Sequence, residues 1–141
     1  MTVSRRIVSN GNELFILPTA KVGYEKLSDV TEDKIFCYES KWDLNSKNYG
    51  DYIKANLPEN VEEKLKKIAV KIYKIFSIKD YGRIDFRLTK NNEPYVIEVT
   101  ANPGLSKVCS GPESAEWVNI NYEQLINKIF ESALKRYQIK K

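Results

Sequence analysis

The sequence predicts an α+β fold: a mostly antiparallel sheet with two long helices packed on one face. Three observations carry that prediction. Apolar residues recur at helical spacing over 61–76 and again over 122–137. Between these stretches, residues 84–88 and 95–99 alternate apolar and polar side chains with the period of strands. The chain has 141 residues, 42% of them hydrophobic, with 6 glycines and 5 prolines, which suits one domain with a single core and no linker or repeat.

In chain order, Val3 to Val8 reads as a short strand, Ser9-Asn10-Gly11-Asn12 as a turn, and Glu13 to Leu17 as the returning strand. Residues 18–33 carry few periodic apolar positions and read mostly as loop. Lys34 to Trp42 is β-branched and aromatic and reads as a strand, and the polar run 43–56 as loop. Pro58 suits the first position of a helix, where its missing N–H costs nothing. Val61, Leu65, Ile68, Ala69, Ile72, Tyr73 and Phe76 then form one stripe of a helix ending near Ser77. Tyr122, Leu125, Ile126, Ile129, Phe130, Ala133 and Tyr137 form the stripe of a second helix, and both stripes read as core-facing.

Composition removes several function classes. The chain has no histidine, so His-based triads, His-ligated zinc and His acid–base catalysis are excluded. Cys37 and Cys109 lie far apart and suggest neither a disulfide framework nor a thiolate zinc site. The apolar run Leu14–Leu17 is far shorter than the ~20 residues of a membrane-spanning helix, and MTVSRRIVSN has no signal-peptide core, so a cytoplasmic protein without membrane partners is expected. The formal net charge of +4 comes from scattered lysines, which reads as solvated surface and argues against a nucleic-acid partner.

The informative stretch is YGRIDFRLTKNNEPYVIEVTANPGLS, residues 81–106. With Asn91 and Asn92 as the central pair of a two-residue turn, Asp85 opposes Glu98 and Arg83 opposes Thr100 on the polar face. Opposed side chains have Cβ atoms about 4.5–5.5 Å apart, and two carboxylates at that distance repel unless positive charge joins them. A Mg²⁺ ion, which takes one or two carboxylates plus waters and phosphates, satisfies that need. So does a salt-bridge network through Arg83 and Arg87, or a proton shared by the two carboxylates. The exit Ala101-Asn102-Pro103-Gly104, followed by Ser106, Ser110 and Gly111-Pro112 in a loop, fits an active-site wall in which the Gly104 N–H approaches a ligand.

Arg83-Ile-Asp85-Phe and Tyr95-Val-Ile-Glu98-Val-Thr-Ala-Asn102-Pro103-Gly104-Leu-Ser106 resemble the C-terminal active-site stretch of ATP-grasp ligases, in the D-alanine–D-alanine ligase branch. Tyr38-Glu39-Ser40-Lys41-Trp42, the helix after Leu57 and the segment NYEQLINKIFESAL extend the resemblance over nearly the whole chain. It implies that ATP and one or two Mg²⁺ ions are bound and that a carboxylate is phosphorylated and then joined to an amine of an amino-acid-like substrate. It also implies roles. Asp85 binds one Mg²⁺ and Glu98 bridges two. Arg83 contacts the transferred phosphate or the tetrahedral intermediate, and the Gly104 N–H serves an oxyanion hole. Lys41 contacts phosphate, and Ile97 lies against adenine. Thr100 stands where the family has an asparagine metal ligand, and Arg87 where it often has an apolar residue. By the same resemblance the chain is the C-terminal half of an ATP-grasp fold without its N-terminal substrate regions, inactive or very weak alone and completed by a complementary half; apolar residues beside the site face, such as Trp42, suggest a homodimer. The alternative is a non-catalytic remnant that binds a nucleotide or a partner.

Overall fold

A computed structural model describes residues 1–9, 13–23 and 51–139. The expected strand at Lys34–Trp42, with Lys41, lies outside these residues, as do the turn residues 10–12. The strands are β1 (Thr2–Ser9), β2 (Leu14–Ile16), β3 (Ala20–Gly23), β4 (Asp51–Lys54), β5 (Tyr81–Leu88) and β6 (Pro94–Thr100). The helices are α1 (Glu59–Ile75), α2 (Ser110–Glu116) and α3 (Tyr122–Arg136). The sheet runs β4-β3-β1-β5-β6, with β2 also paired to β1, and every pairing among the described residues is antiparallel.

β1 is the central strand. It pairs with β5 from Thr2 to Val8 on one side, and on the other with β3 through Val3 and Ser4 and with β2 through Ile7 to Ser9. Two segments expected to be loop are therefore partly strand. Ala20–Gly23 and Asp51–Lys54 pair with each other at the sheet's edge. Each is only four residues long, too short for alternation to show, and the pairing itself supplies their order.

α1 begins one residue after Pro58, which is its N-cap. It ends at Ile75, because Ser77 takes a left-handed φ of 50° and donates to the Lys74 carbonyl while Ile78 donates to that of Tyr73. Val61, Leu65, Ala69 and Tyr73 bury their side chains, whereas Phe76, past the helix end, is 63% exposed. α3 opens on a capping box: the Gln124 N–H donates to the Asn121 side chain and the Asn121 N–H to the Gln124 side chain. Its stripe is less buried than expected: Leu125 is buried, but Phe130 and Tyr137 are exposed.

The core has two parts. α1 packs Leu65, Ala69 and Tyr73 against Val3, Ile7, Ile84, Phe86 and Leu88. Leu125 of α3 and Ala115 of α2 gather with Val8 and Leu17. Successive strand residues point to opposite faces, so the Ile7 and Val8 sides of β1 carry different helices. α2 occupies part of the stretch expected as loop. Pro112 fits there because first-turn N–H groups have no intrahelical partner.

Candidate functional site

The face of the sheet opposite α1 carries Ser4 and Arg6 of β1, Arg83 and Asp85 of β5, and Glu98 and Thr100 of β6. The register sets Ser4 beside Asp85, Arg6 beside Arg83, Asp85 beside Glu98 and Arg83 beside Thr100. The expected facing of the two carboxylates is thus present, but the turn that builds it differs. The Asn92 N–H donates to the Thr89 carbonyl, so Lys90 and Asn91 are the central pair and Asn92 takes a φ of 61°. Near this turn the pairing is one residue out of step, with Phe86 opposite Val96 and Leu88 opposite Pro94. An irregularity between Asp85 and Phe86 absorbs the step and leaves Ile97 without an opposite residue. As a result Tyr95 pairs with Arg87 on the site face, where alternation alone had placed it among the apolar residues. Ile97 is 58% exposed on the outer strand.

Arg83 binds both carboxylates through one nitrogen: Nη2 lies 2.9 Å from Asp85 Oδ2 and 3.0 Å from Glu98 Oε1. The Thr100 hydroxyl donates to the same Glu98 oxygen at 2.7 Å. Arg87 takes no part. Its Nη1 donates to the Thr2 hydroxyl at 2.9 Å. Burial pushes the Asp85 carboxyl above its ordinary value, with Glu98 adding to the rise and Arg83 and Arg6 opposing it. The other Asp85 oxygen, Oδ1, is buried and accepts no hydrogen bond among the described residues.

The donor set suits one divalent cation. A buried acceptor without a partner and an opposed second carboxylate are what Mg²⁺ uses when phosphates and waters complete its shell. A third acidic or cysteine ligand is not grouped with them among the described residues. Thr100 gives its hydroxyl proton to Glu98, so it orients that carboxylate. Asn102 is held elsewhere, accepting from the Tyr81 hydroxyl.

Gly104 lies with Pro103 and Leu105 in the wall of an adjoining cavity, beside Arg6, Gly111 and Leu125. A Cβ on Gly104 would stand 3.1 Å from the Cys109 sulfur, so the residue allows a close approach within its own loop. Arg6 lines this cavity and also the groove of Arg83, Asp85 and Glu98. It was not among the expected site residues. Alternation along β1, which turns Arg5 and Arg6 to opposite faces, was the available signal. Burial and the neighbouring Arg83 push the Arg6 guanidinium down to about 10, against the pull of Asp85.

Among the described residues, no helix is long and apolar enough to cross a membrane. Residues 7–131 match the family described as D-ala D-ala ligase C-terminus. The D-alanine–D-alanine ligase of Lactobacillus gasseri is 37% identical over 111 residues, covering 78% of this chain and 30% of that protein. The D-alanine–D-alanine ligase of Caldicellulosiruptor bescii is 36% identical over 113 residues, covering 79% and 30%. The fold matches the D-alanine–D-alanine ligase of Bacillus anthracis complexed with ATP, with a TM-score of 0.71 at 20% identity, over 99% of this chain and 39% of that one. It also matches the Coxiella burnetii ligase, with a TM-score of 0.73 at 18% identity, over 97% and 32%. The chain thus spans about 30% of the length of these curated relatives.

Proposed function

Because this chain belongs to the D-alanine–D-alanine ligase C-terminal family, we propose that it is the catalytic-domain portion of an ATP-dependent carboxylate–amine ligase, inactive until the rest of the fold completes it. The observation that carries this reading is the opposed Asp85–Glu98 pair, with Asp85 Oδ1 buried and unpartnered. Bound Mg–ATP would supply the γ-phosphoryl group that turns a substrate carboxylate into an acyl phosphate, with ADP as the leaving group; an amine would then attack the acyl carbon and displace phosphate, leaving an amide. Asp85 and Glu98 would hold the metal, and Thr100 would orient Glu98. Arg83, which both carboxylates position, would contact the transferred phosphate. Gly104 offers its N–H to the developing oxyanion, Ile97 lies against the adenine, and Lys41 reaches a phosphate. An amino-acid-like acid and amine, a complementary half or a second copy of the chain, and a cytoplasmic setting belong to the same reading.

Calorimetric titration with ATP, with and without Mg²⁺, tests it. Magnesium-dependent binding is expected in the parent and its loss in Glu98→Gln. Equal binding by both proteins would sink the proposal. One observation favours the non-catalytic alternative: Arg83 already bridges both carboxylates without a cation. On that reading the nucleotide does not bind through this pair, and Glu98→Gln changes no binding property.

A further inference from the structure

α3 carries more apolar surface than the fold covers. Leu125 is buried, and Ile129, one turn on, packs against the same cluster. A second stripe, Ile126, Phe130, Ala133 and Tyr137, lies about 110° round the helix from Leu125. Its steps are four, three and four residues, the spacing of a coiled-coil seam. Ile126 and Ala133 are half-buried, while Phe130 is 55% and Tyr137 65% exposed. Isolated exposed apolar side chains are ordinary, but four on one seam are not scattered. The Tyr137 ring is also held in place. The Arg136 guanidinium lies 4.2 Å from its centre and is itself fixed by Asp80. None of the four lines the groove of Asp85 and Glu98 or the Gly104 cavity.

We propose that this seam pairs with the same seam of a second copy of the chain, the two α3 helices running antiparallel. Charge favours that direction. The first turn of α3 carries Glu123 and the last turn Lys135 and Arg136. Antiparallel pairing sets each acidic end beside the partner's basic end and opposes the two helix dipoles. A parallel pair would set like charges side by side at both ends. Size agrees as well. With the two-fold axis between Glu131 and Ser132, Phe130 faces Ala133 of the partner subunit and Ile126 faces Tyr137 of the partner subunit. A large side chain then meets a small one, which is how a close-packed seam fills. The contact is isologous, so it closes at two copies. The seam is only two heptads long, which makes the pair weak and dependent on concentration. The inference stands apart from the ligase reading, because the seam lies outside the groove.

The experiment is sedimentation equilibrium of the intact 141-residue chain without magnesium or nucleotide. Loading runs from about 10 μM to about 500 μM, the range in which a small interface associates. The average mass should climb from the monomer's towards twice that value. Phe130→Glu should weaken association by about tenfold or more. Phe76→Glu, which changes an equally exposed ring at the end of α1, should leave it as in the parent. Direction is read in the parent itself, from nuclear Overhauser contacts in a mixture of isotope-labelled and unlabelled protein. Ile126 and Tyr137 stand about 16 Å apart along one helix, so their side chains meet only between antiparallel copies. A cross-peak between the Ile126 methyls and the Tyr137 ring is expected. A chain that stays monomeric at every loading, a folded Phe130→Glu protein that associates like the parent, or a dimer without that cross-peak overturns the proposal. If Phe130→Glu fails to fold, the cross-peak in the parent decides alone. A monomeric parent that binds Mg–ATP would overturn this pairing and leave the ligase reading standing. A dimer with the cross-peak but no Mg–ATP binding would do the reverse.

Discussion

Arg5 and Arg6 are consecutive on β1, and each is 6% exposed. One points towards α1 and the other into the groove. On the α1 side, Arg5 closes a network with Glu62, whose carboxylate also accepts from the Thr19 hydroxyl at 2.8 Å. That network ties the first turn of α1 to β1 and to the chain leading into β3. Arg5, Arg6 and Arg83 each keep an unpaired Nε donor among the described residues, but on the groove side Asp85 also keeps an unpaired acceptor, and Arg6 pairs with no carboxylate. Unpaired buried polar groups cost free energy, and such groups gather where a ligand completes them. The contrast teaches that the α1 side closes its arginine with an ion pair inside the fold, whereas the groove side leaves a carboxylate oxygen open.

The largest effect should come from breaking the ion-paired face. Arg5→Met leaves the Glu62 carboxylate half-buried without its partner and should cost roughly 3 kcal/mol in urea unfolding. Arg6→Met, the matching change one residue on, should have the opposite sign. It removes a poorly satisfied buried charge and should leave stability unchanged or raise it by about 1 kcal/mol. Similar losses for both variants would erase the distinction between the faces.

Two aspartates sharpen the comparison through pH. Hydrogen bonding from Arg136, chiefly, holds the Asp80 carboxyl below its ordinary value, aided by Ser132. Its stabilising contribution is present above the unfolded value near 3.8 and is lost as pH falls through the lower folded value. Asp85 has the reverse sign. Burial raises it, so its contribution is full below about 3.8 and is lost as pH rises through the higher folded value. Unfolding followed across this range should show Asp80→Asn losing stability at neutral pH and flattening the acid limb. Asp85→Asn should gain stability at neutral pH. The smallest effect belongs to a surface pair that serves neither face. Lys64 and Glu93 are both well exposed, and Glu93→Ala should change the unfolding free energy by less than about 1 kcal/mol.

The parts legible in the sequence were those where a period ran long enough to be read. α1, the β5–β6 hairpin and the β1–β2 pair all stood out for that reason. The Asp85–Glu98 facing was also legible, but two departures produced it together: a turn centred on Lys90–Asn91 and an irregularity that sets Ile97 aside. Neither departure leaves a mark in apolar spacing, because turn type depends on backbone angles and the irregularity on twist. β3 and β4 escaped because a four-residue edge strand is specified by its neighbour more than by its own residues. Phe76, Phe130 and Tyr137 fit their helical stripes by spacing, yet they sit where no described element covers them. Arg6 was missed because a charged residue in a strand reads as solvent-facing, and only the fold shows it roofed by the start of α2.

The proposed function implies a trade, in which the groove face would give up stability in order to bind. The most direct measurement is thermal unfolding of the parent and of Asp85→Asn, each with and without Mg–ATP. The account predicts a crossing. Without ligand the variant melts higher, since its buried charge is gone. With Mg–ATP the parent rises and the variant does not, because binding to the folded state alone stabilises it. A variant that melts lower without ligand, and rises with Mg–ATP as much as the parent does, would contradict the account.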